Sequence, residues 1–241
     1  PVVEISFETS ESVKILMETT DAKTLQLVYS ATKDNVELDE SNLTWTSLDE
    51  TVATVENGTV TFLKEGSTNI TVSCDGISAT HKVTCKDFTT YIKVDTLEKL
   101  KAIGATEDTK KGSYVLTADI DIGGGSGSGI VHNFLGVFDG NGHKIYNFEI
   151  TSSWQSLFSG ETKGTIRNLS VYCNLFKIAN ANAVLTGAIS SGGVIDNVYV
   201  SAGKMVYPQN ELAANSNNTF SSIIAINNYN GTIKNSVETG I

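Results

Sequence analysis

The sequence has few cysteines, few basic residues and no long hydrophobic run. Its three cysteines are too few for a disulfide scaffold and lack the spacing of a metal site. The 17 Lys and Arg against 27 Asp and Glu leave a formal net charge of -10. This balance argues against a nucleic-acid or anionic-membrane partner, because both need clustered cations. No stretch of about 18 apolar residues is present, so no transmembrane span is expected.

The remaining composition is that of a folded chain. Charged residues are 18% of the total and hydrophobic residues 40%, which excludes a disordered chain. The length of 241 residues predicts one large or two smaller domains, each able to bury a core.

Residues 1–86 alternate apolar and polar side chains. The apolar members of three such runs are Val3, Ile5 and Phe7; Leu25, Leu27 and Tyr29; and Ile70, Val72 and Cys74. A period of two predicts half-buried antiparallel strands. Asn57-Gly58 suits a type I′ turn, which places Val55 opposite Val60. Several short strands with close turns predict a small β-sandwich.

A second hairpin is predicted at Asp75-Gly76. It puts Cys74 opposite Ile77 and Cys85 opposite Gly66, which disfavours a bridge between the two cysteines. We therefore expect all three cysteines of the chain to be small core side chains, with a bridge or a reactive thiol as the alternative.

Four stretches of this region together resemble the bacterial Ig-like domain, group 2. They are 43–47 (LTWTS), 52–55 (VATV), 57–60 (NGTV) and 64–72 (KEGSTNITV). The resemblance covers nearly all of residues 1–86 and implies a sandwich in which the tryptophan packs inside and the glycines make turns. It also implies a secreted or surface-anchored bacterial protein, in which this domain is a spacer or adhesive unit without a catalytic residue.

A short linker at 87–94 and a helix at 95–103 are predicted next. Asp95 or Thr96 can cap the start of the helix and Gly104 can end it. Its apolar face is formed by Leu97, Leu100 and Ile103. A helix of about two turns needs a surface to pack on.

Four Ile-x-Asn units follow: Ile145-Tyr146-Asn147, Ile166-Arg167-Asn168, Ile195-Asp196-Asn197 and Ile233-Lys234-Asn235. Recurrence at about 20–50 residues predicts a solenoid with one coil per unit. The isoleucine lies two positions before each asparagine, whereas in the first three units the apolar residues after it lie one and three positions away, so the set of inward-facing positions shifts by one residue at the asparagine. A strand needs a bend to make this shift, and each asparagine is therefore predicted to occupy a bend with left-handed backbone geometry. Because coils stack about 4.8 Å apart, these asparagines could hydrogen-bond from coil to coil.

This region resembles the right-handed parallel β-helix of bacterial surface proteins with GLUG-type repeats. The matching segments are 114–122 (YVLTADIDI), 138–145 (FDGNGHKI), 164–169 (GTIRNL) and 231–235 (GTIKN). The resemblance covers residues 91–241 and implies that the 95–103 helix covers the open start of the solenoid. The predicted fold is therefore all-β: an Ig-like β-sandwich at 1–86, the linker, and a short right-handed parallel β-helix at 95–241 with an N-terminal capping helix.

Asp119, Asp121 and Asp139 are the dense acidic group of the second region, near the glycine-rich loop 123–129. With Asn141 they could hold calcium, which prefers oxygen ligands. The spacing does not match an EF-hand, however, and such aspartates commonly end strands, so no cofactor is expected. The loop lacks the ending of a P-loop and is expected to be a flexible surface loop.

The same three aspartates are the candidates for catalysis. Glycoside hydrolysis needs two carboxylates about 5–9.5 Å apart, and His132 and His143 could carry protons. Asp139 lies in a turn-like Asp-Gly-Asn-Gly that a structural role explains. We therefore predict no catalytic residue, with a polysaccharide-degrading enzyme as the alternative.

Exposed aromatic side chains could bind sugar by stacking. Trp154 is the first candidate, followed by Tyr199, Tyr207 and Tyr229. The alternative, which we favour for Trp154, is that its ring packs over the edge of a coil.

The two resemblances imply a secreted or cell-surface bacterial protein, and the absence of convergent reactive groups in the sequence favours a role in adhesion or ligand display without catalysis. Its expected partner is a host or bacterial surface protein or a glycan, and not nucleic acid. The alternative is a carbohydrate-active enzyme or a polysaccharide-binding module that uses a face of the β-helix. A solenoid ending in an unpaired strand at its C-terminal edge could also associate with another copy.

Overall fold

The computed structural model describes residues 2–179, 181–206 and 221–240. Over these residues the chain is all-β, as predicted, with 26 strands, two short α-helices and one 3₁₀ helix. It divides into two compact units, Pro1–Thr90 and Tyr91–Ile241, each described here by itself.

The first unit contains ten strands and the 3₁₀ helix Glu40–Asn42. The strands are β1 (Val3–Phe7), β2 (Glu11–Leu16), β3 (Thr24–Gln26), β4 (Tyr29–Lys33), β5 (Val36–Glu37), β6 (Thr44–Ser47), β7 (Ala53–Glu56), β8 (Thr59–Phe62), β9 (Gly66–Cys74) and β10 (Ile77–Asp87). They form three small sheets with the orders β1-β4-β5, β2-β10-β9-β6 and β3-β8-β7. The pairing is antiparallel except between β2 and β10.

Both predicted hairpins are confirmed. Asn57 and Gly58 have φ of 47° and 73°, and Val55 pairs with Val60. At the second turn, Cys74 lies opposite Ile77 and Cys85 opposite Gly66. Positive φ at both turn positions is what a type I′ turn requires, so the local sequence determines these two registers.

The core of the first unit is a single apolar cluster. Its fully buried members include Val60, Phe62, Ile70 and Val83. Trp45 packs against this cluster, with its ring centroid 4.9 Å from that of Tyr29. The tryptophan therefore has the packing role that the family resemblance implied.

The cysteines are free thiols: Cys85 and Cys173 are buried, and Cys74 is half-buried. Burial raises the pKa of Cys173 to about 11 and also raises the pKa of Cys85. Since the thiolate is the reactive form, we expect Cys74 alone to react with a thiol reagent in the folded protein and all three cysteines to react after unfolding. A colorimetric thiol titration with and without denaturant measures this, and rapid labelling of Cys173 in the native protein would contradict it.

The second unit contains the helices α1 (Leu97–Ala102) and α2 (Glu107–Lys111) and sixteen strands. The strands are β11 (Ile92–Val94), β12 (Ser113–Leu116), β13 (Ile120–Asp121), β14 (Val131–His132), β15 (Val137–Asp139), β16 (Lys144–Ile150), β17 (Phe158–Thr162), β18 (Thr165–Lys177), β19 (Asn182–Ala183), β20 (Thr186–Ser190), β21 (Val194–Ala202), β22 (Met205–Val206), β23 (Ser221–Ser222), β24 (Ala225–Tyr229), β25 (Thr232–Lys234) and β26 (Val237–Gly240). Within the described residues, the ladders between these strands are all parallel.

The helix predicted at 95–103 is present as α1. Thr96 caps it by accepting a hydrogen bond from Lys99 N, and Leu100 and Ile103 are buried at 0% and 1% exposure. The second helix, α2, was not predicted from the sequence. Residues 92–94 of the expected linker form β11, which pairs with β12, because their alternating side chains extend the parallel sheet by one strand.

Equivalent residues of successive strands lie in rows. One row contains Ile92, Tyr114, Phe138, Ile166, Ile195 and Ile233. Its four inner members are at most 3% exposed, whereas the end residues Ile92 and Ile233 are 55% and 41% exposed. Stacking between neighbouring strands therefore buries the row, and its two ends lack one neighbour each among the described residues.

One of the four Ile-x-Asn units does not lie where the repeat predicts. Ile166, Ile195 and Ile233 share a row, but Ile145 pairs with Val171 in a second row. The place expected for Ile145 is taken by Phe138, which pairs with Ile166. The prediction was wrong because the buried position of this row requires only a large apolar side chain, and Phe138 provides one although its segment does not have the Ile-x-Asn sequence.

The asparagine bends are confirmed. Asn147, Asn168, Asn197 and Asn235 have φ of 63°, 53°, 54° and 50°. Asn197 Nδ2 donates to Asn168 Oδ1 at 2.9 Å, so one predicted link between neighbouring asparagines is present. Asn235 donates instead to Asp196 at 2.9 Å, and Asn147 accepts from Asn174 at 2.8 Å.

Aromatic rings fill the interior of the second unit where two of its sheets face each other. Phe158 lies 5.4 Å from Phe138 and 5.9 Å from Phe134, measured between ring centroids. All three side chains are fully buried. Edge-to-face contacts at these distances add to the apolar area that the rings bury.

Candidate functional site

The carboxylate of Asp139 is buried and fully engaged. Its side chain is 1% exposed and accepts from Arg167 Nε at 2.7 Å. Asn168 Nδ2 donates to both of its oxygens at 3.1 Å, and Asn141 N donates at 2.8 Å. Three donor atoms that make four hydrogen bonds to one carboxylate give this residue a structural role in the bend between β15 and β16.

The other two aspartates have separate partners. Asp119 accepts from His143 Nδ1 at 3.2 Å and from Lys144 N at 3.1 Å. Partial burial acts to raise the pKa of Asp119, but these hydrogen bonds and the nearby Lys144 charge leave it below its ordinary value. Asp121 accepts from Gly123 N at 2.8 Å and from Asn147 Nδ2 at 2.7 Å.

The described residues contain no group of three or more His, Cys, Asp and Glu side chains that could hold a metal ion. The structure therefore does not bring Asp119, Asp121 and Asp139 together as a calcium site. His143 contacts Asp119, while His132 Nδ1 lies 2.6 Å from Ser159 Oγ. The two histidines considered as proton carriers thus have different partners.

The glycine-rich loop is hydrogen-bonded to the backbone of β16 and of Ser156, which differs from the flexible loop expected. Gly127 N donates to Glu149 O at 3.0 Å, and Gly129 N donates to Ser156 O at 2.8 Å. A Cβ at Gly127 would lie 2.1 Å from the Phe148 ring. Glycine is needed here because the loop backbone runs directly over a core side chain.

Trp154 is displayed on the surface. Its side chain is 74% exposed, so the alternative that it packs over an edge is wrong. Thr151 N and Ser152 N both donate to Gln155 Oε1 at 2.9 Å. Trp154 itself has φ of 62°, which is rare for a bulky residue and is maintained by the surrounding hydrogen bonds.

Trp154 lies in a region without charged residues, which we call the Trp154 corner. It consists of the segments 123–129 and 151–156, which are mostly exposed, and the buried segment 181–185. None of these residues is Asp, Glu, Lys or Arg. Backbone hydrogen bonds join the three segments: Gly129 N to Ser156 O at 2.8 Å and Ala183 N to Gln155 O at 2.9 Å. In a chain of net charge -10, this corner offers an aromatic ring among hydroxyl and amide groups.

The candidate tyrosines occupy different places. Tyr199 lies 5.5 Å from Tyr172 between ring centroids, and its hydroxyl is 3.1 Å from Thr239 Oγ1. Tyr229 is 58% exposed at the end of β24, and Tyr207 lies outside the described residues. Sequence reasoning missed Tyr172 and also Tyr146, which pairs with it. The available signal was that each tyrosine follows an apolar residue predicted to be buried and should therefore face outward. The pairing of the two tyrosines was missed because Ile145 had been predicted to lie in the row of Ile166.

No helix among the described residues is long and apolar enough to span a membrane.

Comparison with known families supports one of the two resemblances. The segment of residues 91–241 that resembles a GLUG-type β-helix has no family match, and no curated protein matches the chain. Domains of the family found for the first unit occur in bacterial surface proteins, which is consistent with a cell-surface role. Residues 14–86 match the model of the bacterial Ig-like domain, group 2.

Proposed function

We propose that this chain belongs to a secreted or surface-attached bacterial protein, in which an Ig-like β-sandwich precedes a right-handed parallel β-helix. The parallel ladders of the second unit and their buried rows support the β-helix. The right-handed sense follows from the strong preference of parallel crossover connections for that hand. The match of residues 14–86 supports the sandwich and the surface location.

The β-helix serves in adhesion and not in catalysis. Asp119, Asp121 and Asp139 are each bound by cationic or amide groups of the protein. Carboxylates used this way stabilise bends and lack the shared cleft that glycoside hydrolysis requires. The module on this proposal needs no metal or other cofactor. A polysaccharide-degrading activity remains the alternative, and release of reducing sugar from any tested glycan would favour it.

The ligand is a neutral saccharide that stacks on Trp154. The observation that carries this proposal is the 74% exposure of the indole in a turn held by hydrogen bonds. Ordering this turn before binding lowers the entropy cost of complex formation. Glu149, which pairs with Ser126, is a charged residue beside the Trp154 corner, but the corner itself contains none. A hydroxyl-rich ligand that stays within the corner therefore does not strip the hydration shell of an ionised group.

A glycan array followed by calorimetry tests this proposal. We expect the wild-type protein to bind at least one neutral glycan and Trp154→Ala to weaken that binding at least about tenfold, or about 1.4 kcal/mol. Tyr229→Ala is the matched control, since it removes another exposed aromatic ring outside the Trp154 corner. Bound glycan should also protect Trp154 from iodide quenching, which reaches the half-buried Trp45 less readily.

Equal affinity of the wild-type and Trp154→Ala proteins for every glycan on the array would refute the proposal. Binding confined to charged glycans would also contradict it.

A further inference from the structure

Three tyrosines face outward from three neighbouring strands of the largest parallel sheet. Tyr146 on β16 pairs in register with Tyr172 on β18, and Tyr199 on β21 pairs with Ser170, two residues before Tyr172. Their chain neighbours Ile145, Val171 and Val200 are 0% exposed. Because side chains alternate along a strand, the three rings lie on the outer face. We call Tyr146, Tyr172 and Tyr199 the tyrosine strip.

The rings of the strip are held in place by contacts on the same face. The rings of Tyr172 and Tyr199 are tilted by 49° at 5.5 Å, so they touch without stacking on each other. The hydroxyl of Tyr199 meets Thr239, and Lys144 Nζ lies 4.9 Å from the centre of the Tyr146 ring. Tyr172, between the other two, is 40% exposed.

The surroundings of the strip favour an uncharged ligand. The positions in register with the three rings include the hydroxyl residues Ser170, Ser201 and Thr239. The charged residues at such positions are Lys144, which pairs with Asp119 at 3.6 Å, and Asp121, which accepts from Asn147. With both charges engaged and a chain charge of -10, an anionic polymer would be repelled.

We infer that the tyrosine strip is a second binding site, which takes a linear neutral polysaccharide running across the strands. Tyr146 and Tyr172 lie in register on strands about 4.8 Å apart, and the ring centres of Tyr172 and Tyr199 are 5.5 Å apart. Both spacings are close to the length of one sugar unit, so successive sugars can contact successive rings. Tyrosine suits this contact because its ring covers apolar area while its hydroxyl bonds to polar groups. The site is separate from the Trp154 corner and does not depend on it.

Affinity electrophoresis tests the inference with named polymers. The native gels contain a mixed-linkage β-glucan, a galactomannan, dextran or, as the anionic probe, polygalacturonate. We expect at least one neutral polymer to retard the full chain and polygalacturonate to leave its mobility unchanged. Tyr172→Ala/Tyr199→Ala should lose most of this retardation, with an apparent dissociation constant at least about tenfold weaker.

Three further variants identify the source of any effect. Tyr172→Phe keeps the ring and should retain retardation, and Tyr229→Ala removes an exposed tyrosine outside the strip and should behave as wild type. Trp154→Ala should keep the part of the retardation that depends on the tyrosine strip. Loss of binding at the strip can therefore be distinguished from loss of binding at the Trp154 corner. Matching circular dichroism spectra and melting temperatures confirm that each variant is folded.

The inference is overturned if no neutral polymer retards the wild-type chain. It is equally overturned if the folded double variant is retarded as strongly as wild type, or if polygalacturonate is the polymer that binds.

Discussion

Replacing Phe158 with alanine is expected to lower the free energy of unfolding of the second unit by about 3–5 kcal/mol. The ring is fully buried and touches both Phe134 and Phe138. It also belongs to a row in which Val131, Phe158 and Thr186 stack across three strands. Removing it takes away apolar contact on several sides and leaves a cavity that stacked strands cannot close without breaking their ladders.

Urea unfolding with hydrogen exchange read by mass spectrometry measures this loss, using peptides from β17 and β18 to isolate the second unit. Phe158→Leu is the matched control, since it keeps most of the volume and should cost less than about 1.5 kcal/mol. A loss below that value for Phe158→Ala would contradict the packing described here.

Replacing Asp139 with asparagine is expected to cost about 3 kcal/mol. The change keeps the shape of the side chain but removes the negative charge that faces Arg167 Nε at 2.7 Å. It also places an amide nitrogen near the donating Nδ2 of Asn168. The cost lies at the lower end of the range for broken buried pairs, because the Arg167 side chain is 30% exposed and water can partly replace the lost partner.

Asp196→Asn provides the matched control, since Asp139, Arg167 and Asp196 are in register on neighbouring strands. Asp196 pairs in register with Arg167 on one side and Lys234 on the other, but its side chain is 27% exposed and that of Lys234 54% exposed. An exposed ion pair contributes little, so we expect a loss below about 1 kcal/mol. If the two substitutions cost the same in urea unfolding, burial is not what distinguishes these carboxylates.

Local features of this chain could be predicted from the sequence because they depend on a few adjacent residues. The turns at Asn57-Gly58 and Asp75-Gly76 and the bends at the four asparagines all have the positive φ that was expected. Asparagine and glycine tolerate this geometry better than other residues. The helix α1 could be predicted for the same reason, since Thr96 determines where it starts and the spacing of Leu100 and Ile103 determines its buried face.

The stacking order of the strands could not be predicted, because the residues that pair are 20 to 40 positions apart in unequal repeats. Ile145 and Phe138 were equally good candidates for the row of Ile166, since both are apolar and each precedes a bend. Only the lengths of the intervening turns and the fit of the side chains in the core select Phe138. The same uncertainty concealed the pairing of Tyr146 with Tyr172.

The sequence by itself determined that the chain is all-β, that its first part is similar to the bacterial Ig-like domain, and where it turns. Those properties follow from alternation of side chains and from backbone preferences, which act over a few residues. Only the tertiary structure decided that the Trp154 ring faces solvent, that three tyrosines share one face, and that the three aspartates bind separate partners. Exposure and proximity of this kind depend on the register between strands that are distant in sequence, and no local sequence pattern specifies that register.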